Sequence, residues 1–526
     1  MKRCPDSLRP LAVACLLAAC LHLARSTRAA DAPALVPAER GFRSMFNGQD
    51  LRGWQGNTNL WSVEDGVITG RTTKDNPAPH NTFLVWRGGK VSNFVLRFAY
   101  RVIPGDDQGF ANSGVQYRSK VTDQAGFIMA GYQADIEAGP TYTGTLYDEA
   151  GGAGGRGTMA QRGETVRWGP GGKQVLATSG TPRDLQAVIK TNDWNDYEIT
   201  VEGWHFVHKI NGVTMIDLTD DDPAKRVPNG VIGLQLHAGP PMTVQFKNLR
   251  IKRQDRKIVF VAGTPSHGPG DHEHRADCLL LRACLDPLPG LQTVVVTNGW
   301  PRHNNTRVFN GAAAIVLDAD GGDGNPFIQD DRLEVLGRLM RRRVGLGCLH
   351  YAVEVPKDRG GPEFLNWIGG YFETYRSVNP TWEADFTRLP QHPVTRGVHP
   401  FKISDEWYYH MRFPDGLANV TPILTAVPPD RTRGQPGVND AHGGNPEVQK
   451  HKGEPEHMMW VIQRPDGGRG FGFTGGHFHR NFGNAEFRKV VLNAILWIAR
   501  VEVPPEGVPS EVTPDQLQQN LDPKGR

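Results

Sequence analysis

The spacing of apolar residues changes near residue 255, and that change divides the chain into two differently built halves. Before it, short alternating runs such as "FVLRFAYRVI", "SGVQYRSK", "GYQADIE" and "GVIGLQLHAG" are broken by Gly, Asn, Asp and Pro. Alternation sends apolar side chains to one face of a strand and polar ones to the other, so residues 40–253 read as an all-β sandwich. The Asn-Gly of "INGV" supplies a hairpin turn. After the basic stretch "LRIKRQDRK" come unbroken apolar runs, "KIVFVAG", "TVVVTNG", "AAAIVLDAD" and "RVGLGCLH". Strands covered on both faces read this way, with helical segments such as "DDRLEVLGRLMRRR" between several of them and Asp330 or Asp331 as its expected cap. Residues 256–500 therefore read as a doubly wound α/β domain with an antiparallel edge at "MMWVIQRPDGGRGFGFTGG". At 526 residues the chain exceeds a single core, and two domains are expected.

The ends read differently. Lys2, Arg3 and Arg9 precede "LAVACLLAACLHLA" and the small residues "RAADAPA", which predicts a signal peptide over 1–30, cut near Ala29 or Ala30. "LAAC" at 17–20 also fits a lipoprotein box that would leave Cys20 lipidated, the one expected route to a membrane. Both alternatives place the protein outside the cytoplasm, in the periplasm or cell envelope. Residues 1–30 carry five of the 59 Lys and Arg and one of the 56 Asp and Glu, so the rest is nearly neutral and lacks the electrostatic drive of a nucleic-acid binder. Cys278, Cys284 and Cys348 have neither disulfide nor metal-ligand spacing. The polar, proline-rich tail at 501–526 is expected to be mobile or a linker.

In the first half, strand alternation puts Gln116 with Arg118, Gln133 with Asp135, and Gln235 with His237 on one face, while Val115, Tyr117, Ala134, Ile136, Leu234 and Leu236 take the other. Amide and guanidinium forks suit sugar hydroxyls better than the Lys, Glu and Thr of a merely solvated face. Trp54, Trp61, Trp194 and Trp204 read as core rather than sugar-stacking residues.

The stretches "GFRSMFNGQDLRGW", "WSVEDGVITG", "NSGVQYRS", "GYQADI", "WNDYEI", "INGV" and "GLQLHAGPPMTVQFKNLRI" strongly resemble the 3-keto-disaccharide hydrolase domain family, which has a concanavalin-like jelly-roll sandwich. The resemblance runs through 41–252 and implies a site on the concave sheet. It implies Asn112, Gln116, Arg118, Gln133, Asp135, Gln235 and His237, with Tyr147, Asp148 and Glu149 of "GTLYDEAG" as loop candidates. A ketone at C3 of a hexose acidifies the proton on C2, and loss of that proton lets the glycosidic oxygen leave C1. Such a site needs a base, an enolate stabiliser and an acid. Asp135, Glu149 and His237 are the candidates for base and acid, Arg118 or a divalent metal ion for the enolate oxygen. Asn112, Gln116, Gln133, Tyr147, Asp148 and Gln235 are the candidates for holding a small carbohydrate substrate. The alternative is a lectin-like protein that binds sugar without turning it over.

In open α/β sheets, ligands bind beyond the carboxyl ends of the strands. His267, His272 and His274 follow the first strand, His350 ends "RVGLGCLH", and His477 and His479 follow "GRGFGFTG". Distant segments thus deliver imidazoles to one rim, with Glu406 and His410 of "SDEWYYHMRF" arriving from an insertion. His267, His272 and His274 are candidate metal ligands, while His350, Glu406 and His477 are candidates for a second-domain site; orienting a sugar or moving protons are other uses of such rings. "VFVAGTPSHGPGDHEHRA", "RRVGLGCLHYA", "FLNWIGGYF", "HPVTRGV", "SDEWYY" and "GFTGGHFHRNFGNAEFRKVVLNAILWIA" resemble the ThuA-like (trehalose-utilisation) domains, which share the flavodoxin-like fold of the class I glutamine amidotransferases. The resemblance implies a domain that acts on or binds a related keto-sugar. In the amidotransferase relatives a cysteine nucleophile occupies the turn after the strand corresponding to "RVGLGCLH". Here His350 stands in that turn and Cys348 lies inside the strand, so glutamine hydrolysis is not expected.

Overall fold

Seven antiparallel strands form one layer of the first domain, in the order Gly157–Ala160, Leu146–Glu149, Ile128–Glu137, Asn112–Asp123, Val231–Leu236, Thr82–Trp86 and Trp54–Gln55. A ten-stranded sheet, including Phe94–Pro104, Asn195–Glu202 and Met242–Arg253, packs behind it. This computed structural model describes residues 39–149, 155–438 and 440–524; the expected signal peptide and Cys20 lie outside them. Val115, Tyr117, Tyr132, Ala134, Ile136, Leu234 and Leu236 pack between the sheets with Phe98, Tyr197, Phe206 and Phe246, which is the core face alternation predicted. Trp54 and Trp61 are buried in the same core. Within it, His208 is bonded to the hydroxyls of Tyr117 (2.9 Å) and Tyr197 (3.2 Å). Burial pushes that imidazole down to about 3, so it is neutral and its two nitrogens serve the two phenols.

The second domain is built on a seven-stranded sheet ordered Leu291–Val296, Arg256–Ala262, Ala312–Asp318, Gly345–Leu349, Arg469–Phe473, Glu456–Gln463 and Val420–Ala426. Neighbours among the first five strands are parallel and the last two pairings are antiparallel, as the apolar runs suggested. His274–Leu285 and Ala485–Ile498 cover one face, while Arg332–Arg341 packs on the other. Asp331 precedes Arg332–Arg341, but its side chain makes no capping bond. Thr381–Phe386 and Phe401–Glu406 form a separate hairpin, and this places the insertion that the sequence left unplaced.

The tail is not a loose linker over its described part. Val503 and Val508 are buried in the core beside Ala485–Ile498. Farther on, Leu517 O accepts from His479 Nε2 (2.9 Å), Leu521 O accepts from Arg275 (2.7 Å), and Asp522 N donates to Glu273 (2.6 Å). Lys524 Nζ donates to His272 O (3.2 Å) and also reaches Asp271 O. Prolines remove backbone donors that would otherwise need partners, so such a segment can lie against a domain on a few apolar anchors. Composition alone hides that.

Candidate functional site

On the outer face of the seven-stranded sheet, alternate residues of four strands line a cleft of about 320 Å³: Asn112, Gln133, Asp135, Tyr147, Glu149, Gln235 and the adjacent His237. Asn81, Phe110 and Tyr142 complete it from loops. Gln133 Nε2 donates to Asp135 Oδ1 (2.8 Å), and Thr145 Oγ1 to Asp135 Oδ2 (3.0 Å). Gln116, fully buried beneath the cleft, donates to Gln133 Oε1 (3.3 Å). Gly114 opposite Asp135 matters here, because a Cβ on it would stand 2.7 Å from the Gln133 side chain. Burial pushes the Asp135 carboxyl up to about 7, against the pull of its Gln133 and Thr145 bonds and with help from nearby Glu149 and Glu137. Burial also raises Glu149, opposed by the Asn81 amide and by His237. His237 Nδ1 meets Ala238 O at 2.5 Å, and a carbonyl can only accept, so Nδ1 carries a hydrogen. Gln235 Nε2 is a buried donor with no hydrogen-bond partner among the described residues. Beyond Glu149 the surface opens into a groove of about 710 Å³ edged by Arg87, Lys90, Lys120 and Lys225.

Two expected site residues are elsewhere. Arg118 sits at a bulge, with φ +46° and a register shift between Tyr117 and Lys120, so it does not share the face of Gln116. Its guanidinium lies near Phe206 and Trp204 and donates to Ser92 O (2.9 Å), Gly203 O (2.7 Å) and Asn93 Oδ1 (3.3 Å). It ties loops together and cannot hold an enolate in the cleft. Asp148 alternates with Tyr147 and Glu149, so it points away from them and accepts from Arg156 (2.8 Å), which also binds Asp220 (2.8 Å).

The second cluster forms at the carboxyl ends of the parallel strands. His272 comes from the loop after Arg256–Ala262, His350 from the turn after Gly345–Leu349, His477 from the loop after Arg469–Phe473, and Glu406 from the end of the inserted hairpin. His272 Nε2 lies 3.0 Å from His477 Nδ1 and 3.2 Å from His350 Nε2; Glu406 Oε2 lies 3.2 Å from His477 Nδ1 and 3.4 Å from His350 Nε2. The outward nitrogens are fixed: His272 Nδ1 on Asp320 Oδ1 (2.9 Å) and His350 Nδ1 on Thr474 O (2.8 Å). His272 and His350 both hold left-handed backbones, at φ +48° each, a strain of about 1–3 kcal/mol per residue that clusters at functional sites. Burial would raise Glu406, but its contacts with His350 and His477 hold it near 2; burial would lower His477, but Glu406 lifts it.

The expected trio of His267, His272 and His274 does not assemble as one ligand set. His274 is bonded through both nitrogens to Asp318 (2.8 Å) and Asp320 (3.3 Å), which outweigh burial and lift it to about 10. An imidazolium has no lone pair for a metal. His267 is half exposed and stacks on His272 at 3.6 Å. His410 pairs with Glu456 (3.1 Å) and His479 with Asp277, both away from the cluster. Cys348 is buried in its strand and its thiol is pushed well up, in keeping with a packing role. Asp320 went unnoticed in the sequence although it lies just past the carboxyl end of Ala312–Asp318, where the rim rule points.

Residues 41–252 match the family model for a 3-keto-alpha-glucoside-1,2-lyase-like domain, and residues 293–498 match that for trehalose utilisation, ThuA. The second match begins after Arg256–Ala262 and the His272 loop, which belong to the same sheet and rim. Similar solved structures include the carbohydrate binding module CBM66 from Bacillus subtilis (18% identity, 38% of this chain and 94% of that one, TM-score 0.25). Others are a protein of Parabacteroides distasonis described as a glycosyl hydrolase (18%, 41% and 94%, TM-score 0.27) and a thua-like protein of Bacteroides uniformis (15%, 47% and 91%, TM-score 0.34). No curated protein matches the chain. The chain joins a jelly-roll domain of the 3-keto-disaccharide hydrolase-like family to a ThuA domain.

Proposed function

We propose that the protein is an exported carbohydrate-active enzyme whose sandwich cleaves 3-keto-glycosides, with the ThuA domain acting on or binding a related keto-sugar. The observation that carries this reading is the Asp135 carboxyl, buried in a sugar-sized cleft and pushed up to about 7 beside a less buried second acid, Glu149. Two carboxyl groups in one site with unequal environments are suited to opposite proton transfers. Glu149 takes the proton from C2, charge moves to the C3 oxygen, and Gln235 Nε2 donates to that oxygen. The C1–O bond then breaks as Asp135 gives its proton to the departing oxygen, leaving a C1=C2 double bond conjugated with the C3 ketone. Addition of water across that bond makes the net reaction a hydrolysis. Asn112, Tyr147 and His237 orient the sugar, while Phe110 (38% exposed) and Tyr142 (43% exposed) offer apolar faces to a ring.

Purified protein incubated with 3-keto-trehalose or 3-keto-sucrose should release the second hexose. Glu149→Gln should lose turnover on every aglycone while binding persists. Asp135→Asn should lose turnover on sugar aglycones but keep it on a nitrophenyl aglycone, whose oxygen leaves without a proton. Saturable binding of the keto-sugar with no product, with or without added divalent cations, would replace this reading with a lectin-like one.

A further inference from the structure

We infer that the ThuA domain carries a divalent transition-metal centre whose ligands are His272 Nε2, His350 Nε2, His477 Nδ1 and Glu406 Oε2. All four atoms lie within 4.8 Å of one another, and the four closest pairs are 3.0, 3.2, 3.2 and 3.4 Å apart. The other two pairs, His272 with Glu406 and His350 with His477, are longer, so the four donors form a flattened quadrilateral with its two diagonals within 4.8 Å, and a central ion of zinc size would lie about 2.0–2.4 Å from each donor.

Acceptors behind two of the rings fix which nitrogen faces the cluster. Asp320 and Thr474 O can only accept, so His272 and His350 each turn an N–H at Nδ1 toward them and turn Nε2 into the cluster. Their Nε2 atoms then face each other across 3.2 Å, with the Tyr408 hydroxyl 3.3 Å from His350 Nε2 and His477 Nδ1 3.0 Å from His272 Nε2, a convergence that a central cation would satisfy. Carboxylate and carbonyl partners behind imidazoles are what orient metal-binding rings and raise their basicity. Three imidazoles with one carboxylate favour zinc, cobalt or nickel over magnesium or calcium, which take oxygen. The side chains of His477 and Glu406 keep 15% and 20% of their exposure, so the ion can be reached from solvent and can accept an oxygen ligand. The tail holds this site from behind through Lys524 and His272 O.

Full-length protein loaded with zinc and dialysed should retain one equivalent by elemental analysis, and cobalt loaded in its place should be retained to the same extent. His350→Ala and His477→Ala should hold no ion, while His267→Ala and His410→Ala should hold it as wild type does. Should the alanine variants fail to fold, Glu406→Gln supplies the test: zinc should raise the wild-type melting temperature and raise that of Glu406→Gln less. Failure of wild type to bind zinc, cobalt or nickel stoichiometrically would overturn the assignment in favour of a proton shared between the rings. Loss of the ion in His267→Ala with retention in His477→Ala would overturn the ligand set.

Discussion

Replacing Asp135 by Asn should strengthen the sandwich while stopping its chemistry on sugar aglycones. The carboxyl is pushed up to about 7 in the folded protein, from an ordinary value near 3.8. Below the ordinary value both states are protonated and the group contributes nothing. Between that value and 7 the unfolded chain releases the proton while the folded one keeps it, so folding stability falls as pH rises and the loss is complete above 7. A displacement of roughly three pH units at about 1.36 kcal/mol each amounts to about 4 kcal/mol at pH 8. Asp135 is 5% exposed, so solvent screening takes little from that figure. An Asn amide cannot ionise and escapes the penalty, and the Thr145 hydroxyl can turn to accept from its NH2 group. Melting curves that follow the sandwich should show Asp135→Asn more stable than wild type at pH 8 and within about 1 kcal/mol of it at pH 4. Equal destabilisation at both pH values would refute the reasoning, since the carboxyl would then be an ordinary hydrogen-bonding core residue.

With Asp135 as the acid, kcat/KM on keto-disaccharides should fall about tenfold per pH unit above pH 7, and that limb should vanish with a nitrophenyl aglycone; a shared limb on both would remove Asp135 from leaving-group protonation. Arg118→Met should leave kcat unchanged but cost about 3 kcal/mol by stranding Ser92 O and Gly203 O; chemical denaturation set against steady-state kinetics separates the two effects. Ending the chain at residue 500 should expose the core that Val503 and Val508 cover and cost the ThuA domain about 3 kcal/mol or more. The same truncation should loosen zinc binding by freeing the Asp271–Glu273 segment, which titration against a competing chelator measures.

The change from alternating to continuous apolar runs made the two-domain architecture readable, because burial on one face or both is a local property of a strand. That Gln133, Asp135 and Gln235 share the outer face of their sheet was readable for the same reason. Arg118 was misplaced because a bulge breaks alternation, and a left-handed arginine leaves no mark in composition. Asp148 was misplaced because "LYDE" was read as a loop, while the backbone is a strand whose alternation turns the middle carboxylate inward. Strand-end placement brought His267, His272, His274, His350 and His477 to one rim but could not sort them. His274 and His272 are two residues apart, yet one is held as a cation by two aspartates and the other offers a lone pair, a difference set by Asp318 and Asp320 from another strand. Glu406 was a candidate from its insertion, and the hairpin Thr381–Phe386 and Phe401–Glu406 is what brings it within 3.4 Å of His350 and 3.2 Å of His477.

The central claim is that a base in the sandwich cleft removes the C2 proton of a sugar already oxidised at C3. A 3-keto-disaccharide deuterated at C2 tests it most directly, by following deuterium release to water alongside aglycone release. The deuterated substrate should turn over more slowly and lose its label in step with cleavage, with neither event in Glu149→Gln. Cleavage at an unchanged rate with the deuterium still on C2, and equal activity on the unoxidised disaccharide, would contradict it.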